Sequence, residues 1–399
     1  MAENNKKTFI LGLGNSGQAT ARYLCTQNAP ICVWDDNLKE FPPDLAPYQG
    51  NPATLDWQTI GLVIKSPGIP MEHPAIQAAQ AAGCTIGGDL DLLPSKHPNA
   101  SFIGITGTNG KSTVTALCHH VLHAAGYNVQ MGGNIGAPVL DLPPADIYVL
   151  EISSFQLETL HHLPLAAAAM LNVTPDHLDR HGTFEHYKNI KYSIFSHLQP
   201  GGTRVDGPAI PPLPADLPHL PGPHNRHNAA CAQALCQSWV NTDNFQKYAA
   251  TFQPLPHRMA TVATCHNIQF VNDSKATNAE ATIPALQAYK NIYWICGGTP
   301  KADGITPCLP HLHNIRQAFT IGQSGTNFAN MLQEYIPVTC SEKLENAVKA
   351  AYEAARHNAH PSVILLSPAA ASYDQFPHFM ARGDAFTTCA QNICQEAAT

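Results

Sequence analysis

The sequence predicts an α/β protein built from three segments with parallel sheets. Three observations carry that prediction. Two glycine turns, GLGNSG from Gly12 to Gly17 and GITGTNGKST from Gly104 to Thr113, each follow a short apolar run and open a helical pattern. Short apolar runs then alternate with helical stretches to the C-terminus, the pattern of βαβ units. The length of 399 residues is too great for one core and suggests two or three domains.

The first segment starts with a strand over 8–11, a turn, a helix from Ser16 and a strand over 31–34. A further strand over 62–64 precedes Ser66-Pro67-Gly68. The polar stretch 94–100 reads as a linker. The second segment begins at the glycine loop and continues through a helix marked by Val114, Leu117, Val121 and Leu122. Strands over 147–150 and 166–171 follow. Residues 183–198 form an amphipathic helix with Phe184, Tyr187, Ile190, Ile194, Phe195 and Leu198 as its apolar stripe. Between Pro200 and Pro223 the chain is Pro-rich, which excludes a helix or a central strand. A helix over 225–239 and a boundary at Pro254–Pro256 come next. The third segment has strands over 268–271, 292–296 and 363–366. The expected domains are 1–95, N-terminal and Rossmann-like; 96–254, central and P-loop-like; and 255–399, C-terminal and Rossmann-like. Hinges are expected at 94–100 and 252–258.

Composition removes several classes of function. The net charge of −7 supplies no basic field for nucleic acid. The apolar run at the N-terminus is too short for a signal peptide, and no stretch approaches a membrane span. Twelve cysteines without a CxxC pair read as reduced core thiols of a cytoplasmic protein.

The loop Gly107-Thr108-Asn109-Gly110-Lys111-Ser112-Thr113 presents backbone N–H groups and a helix N-terminus to an anion. Lys111 adds a charge for β- and γ-phosphates, and Ser112 or Thr113 offers a hydroxyl to Mg²⁺. Ile105 stands where the general P-loop pattern has its first glycine. Glu151 ends the strand over 147–150 and His177 lies just past the next one. Both fall at the strand ends where ligands gather, and a carboxylate there suits Mg²⁺. The bland alternatives are a solvated glutamate and a structural histidine. The turn at Gly12–Gly17 with Asp35 at the end of the second strand fits a dinucleotide or another nucleotide on the same scaffold. Lys191 sits inside the apolar stripe of its helix. Either its stem packs and its head reaches water, or burial neutralises it and the amine takes up CO₂ as an anionic carbamate ligand.

Together these residues resemble the Mur ligase family, and in detail its D-glutamate-adding branch. The resemblance runs from about Thr8 to Phe386. It rests on GITGTNGKST, GGNIG at 132–136, LEISSFQLE at 150–158, NVTPDHLDRHGT at 172–183, HNRHNAA at 224–230, HRM at 257–259, VNDSKATN at 271–278 and SPAAASYDQF at 367–376. The DNPR run of lysine- or diaminopimelate-adding members is absent. The resemblance implies a cytoplasmic monomer acting on small molecules, with no nucleic-acid or membrane partner. The expected reaction is ATP-dependent amide formation between UDP-N-acetylmuramoyl-L-alanine and D-glutamate through an acyl phosphate.

By the same resemblance, the phosphate loop, Asn272 and Lys301 serve ATP. Asn15, Ser16, Asp35, Ser66, Pro67, Gly68, Asn134 and His177 serve the UDP-substrate, and Ser372, Tyr373 and Phe379 serve D-glutamate. Ser112, Glu151, His177 and a carbamylated Lys191 hold two Mg²⁺ ions, with Lys111, Lys191, His177 and Glu151 as the catalytic set. The central segment is shorter than is usual in the family, between Ser196 and Pro221. That leaves a non-catalytic or impaired nucleotide-sugar-binding relative as an alternative. A nicotinamide-dependent oxidoreductase, suggested by GLGNSG and Asp35, leaves GTNGKST and Lys191 unexplained.

Overall fold

The structure is a computed structural model that describes residues 6–300 and 304–397. Three sheets follow one another along the chain. The first contains β1 (Lys7–Leu11), β2 (Ile31–Trp34), β3 (Ile60–Lys65) and β4 (Thr85–Gly87), all parallel, in the order β2-β1-β3-β4. The second contains β5 (Ser101–Thr106), β6 (Val129–Gly133), β7 (Ile147–Glu151), β8 (Leu165–Met170) and β9 (Leu198–Asp206), also all parallel, in the order β6-β7-β5-β8-β9. The third contains β10 (Ala260–Cys265), β11 (Ile268–Asn272), β12 (Ile292–Gly297), β13 (Ile315–Ile321), β14 (Val338–Glu342) and β15 (Ser362–Leu366), in the order β10-β11-β15-β12-β13-β14. Here β10 pairs antiparallel with β11, and the other pairs are parallel.

The runs are apolar because helices cover both faces of a parallel sheet. Every residue of β7 is buried. In the third sheet Ile292, Trp294 and Cys296 enter one core cluster while Tyr293 and Ile295 enter another, the period of two expected of a strand.

The first two sheets belong to one compact unit, Met1–Leu217 with Asn225–Phe252. The third belongs to another, Pro218–His224 with Gln253–Thr399. Ala19, Leu90 and Leu93 share a core cluster with Phe102, Tyr148 and Leu165. The stretch expected as a linker at 94–100 is therefore packed: it opens in the helix Leu93–Lys96, and the Lys96 amine donates to the Leu140 carbonyl.

Two sequence expectations change in detail. The helix expected over 183–198 is α-helical over Phe184–Tyr192, then tightens into a 3₁₀ turn over Ser193–His197. The Pro-rich stretch after Pro200 is not all irregular, because its start belongs to β9. That strand lies at the sheet edge, where a proline costs no ladder bond.

Candidate active site

In the second sheet the chain leaves β5 for β6, returns to β7, and crosses to β8 on the other side of β5. The carboxyl ends of β5 and β8 therefore flank a topological switch point, the usual ligand crevice of such sheets. The loop from Gly107 to Gly110 leaves β5 there and feeds the helix Lys111–Ala124. Gly110 adopts φ +85°, and a Cβ on it would come within 2.4 Å of Asn228 Oδ1, so this position needs glycine.

The loop is held from the β8 side. Asn109 N donates to Asn172 Oδ1 at 2.9 Å, and Asn172 Nδ2 returns a bond to Asn109 O at 3.0 Å. Thr108 N donates to Asn172 O at 2.9 Å, and its hydroxyl lies 3.2 Å from the Tyr187 hydroxyl. Lys111 Nζ donates to the carbonyls of Gly107 and Thr108, both at 2.9 Å, so its ammonium stands at the mouth of the loop. Thr113 lies in the first turn of the helix that follows.

Glu151 closes β7 and is buried. One carboxylate oxygen accepts from the Ser112 hydroxyl and the other from Asn134 Nδ2 at 2.8 Å. His177 stands beyond β8 in the left-handed region, φ +53°, with its N–H on Asp176 Oδ1 at 2.9 Å and its ring edge-on to Phe155 at 5.0 Å. Among the described residues no three His, Cys, Asp or Glu side chains converge on a metal position. Mg²⁺ takes one or two protein carboxylates and fills its shell with phosphate oxygens and water. The donors Ser112 and Glu151, beside a phosphate loop, fit it.

Lys191 is 2% exposed. Its Nζ donates to the Gly107 carbonyl at 2.7 Å and lies 4.8 Å from the centre of the Tyr187 ring. Burial holds its ammonium well below the ordinary lysine value. Lys111 adds repulsion, while Asp176 and Glu151 pull the other way. So Lys191 does not reach water, and its head lies against the phosphate loop.

The first-sheet candidates gather at the ends of β1, β2 and β3. Asn15 and Ser16 open the helix Asn15–Thr26. Gly17 comes so close to Gly12 that a Cβ on it would meet the Gly12 carbonyl oxygen at 1.9 Å. Asp35 accepts from Leu13 N at 2.7 Å and Asn37 N at 2.9 Å, so its carboxylate shapes the turn. Ser66 ties the next turn to the first through Gly12 O at 3.0 Å, and Pro67 and Gly68 continue that turn.

In the third sheet, Asn272 ends β11 and is fully buried. Its Nδ2 donates to Gly383 O at 2.8 Å and Thr387 Oγ1 at 3.1 Å, and Ser274 N donates to its Oδ1 at 3.1 Å. Its amide therefore builds the loop after β11. Lys275 stacks its ammonium 4.2 Å from the centre of the Phe379 ring. Ser372 is buried and Tyr373 is 75% exposed. Lys301 lies outside the described residues.

Sequence reasoning missed several groups. Arg382 is a fully buried guanidinium that donates to Ser274 Oγ and O, both at 3.0 Å, and to the carbonyls of Ala370 at 3.1 Å, Ala371 at 3.2 Å and Gly297 at 3.4 Å. It stands in the stripe of Phe386, Ala390 and Ile393, the same signal that marked Lys191. Asp273 is buried, with its carboxyl pushed up to about 7 by burial against the Ser367 hydroxyl. Lys65 at the end of β3 is also buried, its ammonium pulled down to about 8 by burial. Both stand at strand ends, the kind of position that also marked Glu151.

Comparison with known proteins follows the same division. Residues 6–88 match the Mur ligase MurD-like N-terminal domain, and residues 105–206 match the Mur ligase middle domain. A UDP-N-acetylmuramoylalanine–D-glutamate ligase of Rhizobium etli is 39% identical over 447 aligned residues, covering 96% of this chain and 94% of the relative. One from Novosphingobium aromaticivorans is 38% identical, covering 98% of this chain and 96% of the relative. A MurF ligase of Thermotoga maritima solved with ADP shares the fold at TM-score 0.58 and 13% identity, covering 99% of this chain and 96% of that one. A pseudomurein peptide ligase of Methanothermus fervidus does so at TM-score 0.55 and 16% identity, covering 98% of this chain and 100% of that one. The chain belongs to the Mur ligase family. An alignment of 447 positions on a 399-residue chain also means that the Rhizobium relative carries residues this chain lacks.

Proposed function

We propose that this protein is an ATP-dependent ligase that joins D-glutamate to the L-alanyl carboxylate of UDP-N-acetylmuramoyl-L-alanine, in cytoplasmic peptidoglycan precursor synthesis. The observation that carries the reading is the buried group Ser112, Glu151 and Lys191 packed on a phosphate loop, in a chain whose near-full-length relatives are named for this reaction. Among the described residues no helix is long and apolar enough to cross a membrane. The enzyme acts as a monomer on small-molecule substrates.

The substrate carboxylate oxygen forms a bond to the γ-phosphorus as the bond from that phosphorus to the bridging oxygen breaks, releasing ADP. The D-glutamate amine then attacks the acyl carbon. The tetrahedral intermediate expels phosphate, and the ammonium proton passes to solvent. Lys111 and the N-terminus of its helix hold the negative phosphates while charge moves between them. Ser112, Glu151 and His177 would hold Mg²⁺ at two sites, and the ion would supply neutralisation of phosphate charge.

Lys191 completes that set as a carbamate. Its neutral amine nitrogen bonds to the carbon of CO₂, one C=O electron pair moves to oxygen, and the nitrogen releases a proton. The product is an anionic oxygen ligand in place of a buried neutral amine. The turns at Asn15-Ser16 and Ser66–Gly68, with Asn134 and His177, take the UDP-substrate, and Asp35 keeps the first turn in shape. Ser372, Tyr373 and Phe379 take D-glutamate. Asn272 and Lys301 serve the ATP side, Asn272 by building the loop after β11.

Phosphate release from ATP with the UDP-substrate, with and without D-glutamate, tests the proposal. Release that depends on D-glutamate is expected. Better turnover with L-lysine or diaminopimelate, or no release at all, overturns it.

A further inference from the structure

One carbonyl in the first compact unit takes two cations. Ile69 O, at the end of the Ser66–Gly68 turn, accepts from Lys65 Nζ at 3.0 Å and from Arg180 Nη2 at 3.0 Å. Lys65 comes from the same turn and closes it across four residues. Arg180 comes from the helix Leu178–His181, which starts directly after His177. The second hydrogen of the same Arg180 nitrogen goes to Glu158 Oε2 at 2.9 Å. Both partners of that ion pair are mostly buried, with side chains 13% and 16% exposed. The guanidinium also lies 5.4 Å from the centre of the Phe155 ring, and Phe155 packs edge-on against His177.

A continuous chain of contacts thus runs from the Ser66–Gly68 turn through Arg180 and Phe155 to His177. A guanidinium whose Nη2 donates to two acceptors on different elements, and which lies over a ring, has little freedom to shift. A surface ion pair would not do this, because solvent and side-chain entropy would dissolve it. Lys65 holds the carbonyl end of the chain, so the turn cannot move without breaking a second buried bond.

We infer that Arg180, anchored by Glu158 and seconded by Lys65, is a positioning residue that sets the nucleotide-sugar turn at Ser66–Gly68 against His177. It touches no reacting atom. It fixes the spacing between the part of the site that grips the UDP moiety and the part that meets the acyl end of the same substrate. The inference rests on the function proposed above, since it takes both places to serve one substrate.

The test compares Arg180→Met, Arg180→Lys and Glu158→Gln with wild type, reading phosphate release and calorimetric binding of the UDP-substrate. In Arg180→Met, kcat/KM for the UDP-substrate should fall about 10- to 100-fold, the scale expected when a substrate is misplaced by about an ångström. The KM values for ATP and D-glutamate should stay near wild type. Arg180→Lys keeps the charge and should recover part of the loss. Glu158→Gln should move the same constant in the same direction by a smaller factor.

Wild-type kcat/KM in Arg180→Met overturns the inference. So does an equal rise in all three KM values that Arg180→Lys does not relieve, which is the mark of a general structural defect. If Arg180→Met does not fold, Arg180→Lys and Glu158→Gln decide: a raised KM confined to the UDP-substrate supports the clasp, and unchanged constants in both overturn it. Wild-type enzyme that binds the UDP-substrate without turnover would sink the proposed function instead. The clasp would then be read from calorimetry alone, where equal affinity in wild type and variants overturns it.

Discussion

Two buried cations, one in each compact unit, look alike and differ in chemistry. Lys191 and Arg382 each stand in the apolar stripe of a helix, and each reaches loops at the carboxyl ends of parallel-paired strands. Arg382 donates to five acceptors, all carbonyl or hydroxyl oxygens, which fasten the loops after β11, β12 and β15. Burial pulls its guanidinium down only to about 10, so it stays charged at neutral pH. Lys191 has one carbonyl and one aromatic face, and burial drives it toward the neutral amine. A guanidinium survives burial by spreading its charge over many bonds, whereas an ammonium in such a place becomes a nucleophile. Arg382 is a fastener, and Lys191 is the group proposed to react.

Substituting each cation is the direct way to break that contrast. Lys191→Ala should lower turnover about 10²–10³-fold, the scale of removing one charged stabiliser of a transition state, with stability within about 2 kcal/mol of wild type. Acetate should restore part of the rate by occupying the vacated ligand position. Near-normal turnover would make Lys191 a packing residue.

Arg382→Met should do the reverse in character. It strands five buried acceptors and should cost the second unit about 3–5 kcal/mol in denaturant unfolding, with activity lost through unfolding. A stable variant that lost only catalysis would erase the contrast.

Asp273 sharpens it by pH. Its folded value of about 7 lies above the unfolded carboxyl value, so the folded chain keeps a proton that the unfolded chain has lost. Stability of the second unit should therefore fall as pH rises from about 4 to about 7, and level off above that. Asp273→Asn should flatten the denaturant midpoint across this window. A wild-type profile that is already flat, or an unchanged slope in the variant, would count against the buried acid.

The smallest effect is expected at the substrate pocket. Ser372→Ala should raise the KM of D-glutamate about 5- to 10-fold, one hydrogen bond's worth, and leave that of ATP unchanged. An equal rise in both would move Ser372 out of the D-glutamate pocket.

Much of this was legible in the residues. The glycine loops, Lys111, Glu151 and Lys191 follow from local rules: a turn after a strand, a carboxylate at a strand end, a charge in an apolar stripe. Arg382 obeys the last rule too, in the stripe of Phe386, Ala390 and Ile393, but belongs to none of the motifs that carry the resemblance. Arg180 and Glu158 lay beyond any such rule, since they acquire meaning only when Ile69 and Arg180, 111 residues apart in sequence, are packed into one unit. The same long-range packing sets an expected linker at 94–100 against a shared core, through Ala100 and the Lys96 amine on the Leu140 carbonyl, directly after Leu93 has entered it. β9 was hidden by its Pro200 and glycines, which an edge strand tolerates and a central one does not.

The most direct measurement is ¹³C NMR of enzyme stripped of CO₂ and then supplied with ¹³C-bicarbonate, read together with turnover. A carbamate resonance in wild type that is absent from Lys191→Ala, with activity rising as bicarbonate is added, is the expected result. No resonance after thorough stripping, and turnover indifferent to bicarbonate, would contradict it and leave Lys191 a second fastener like Arg382.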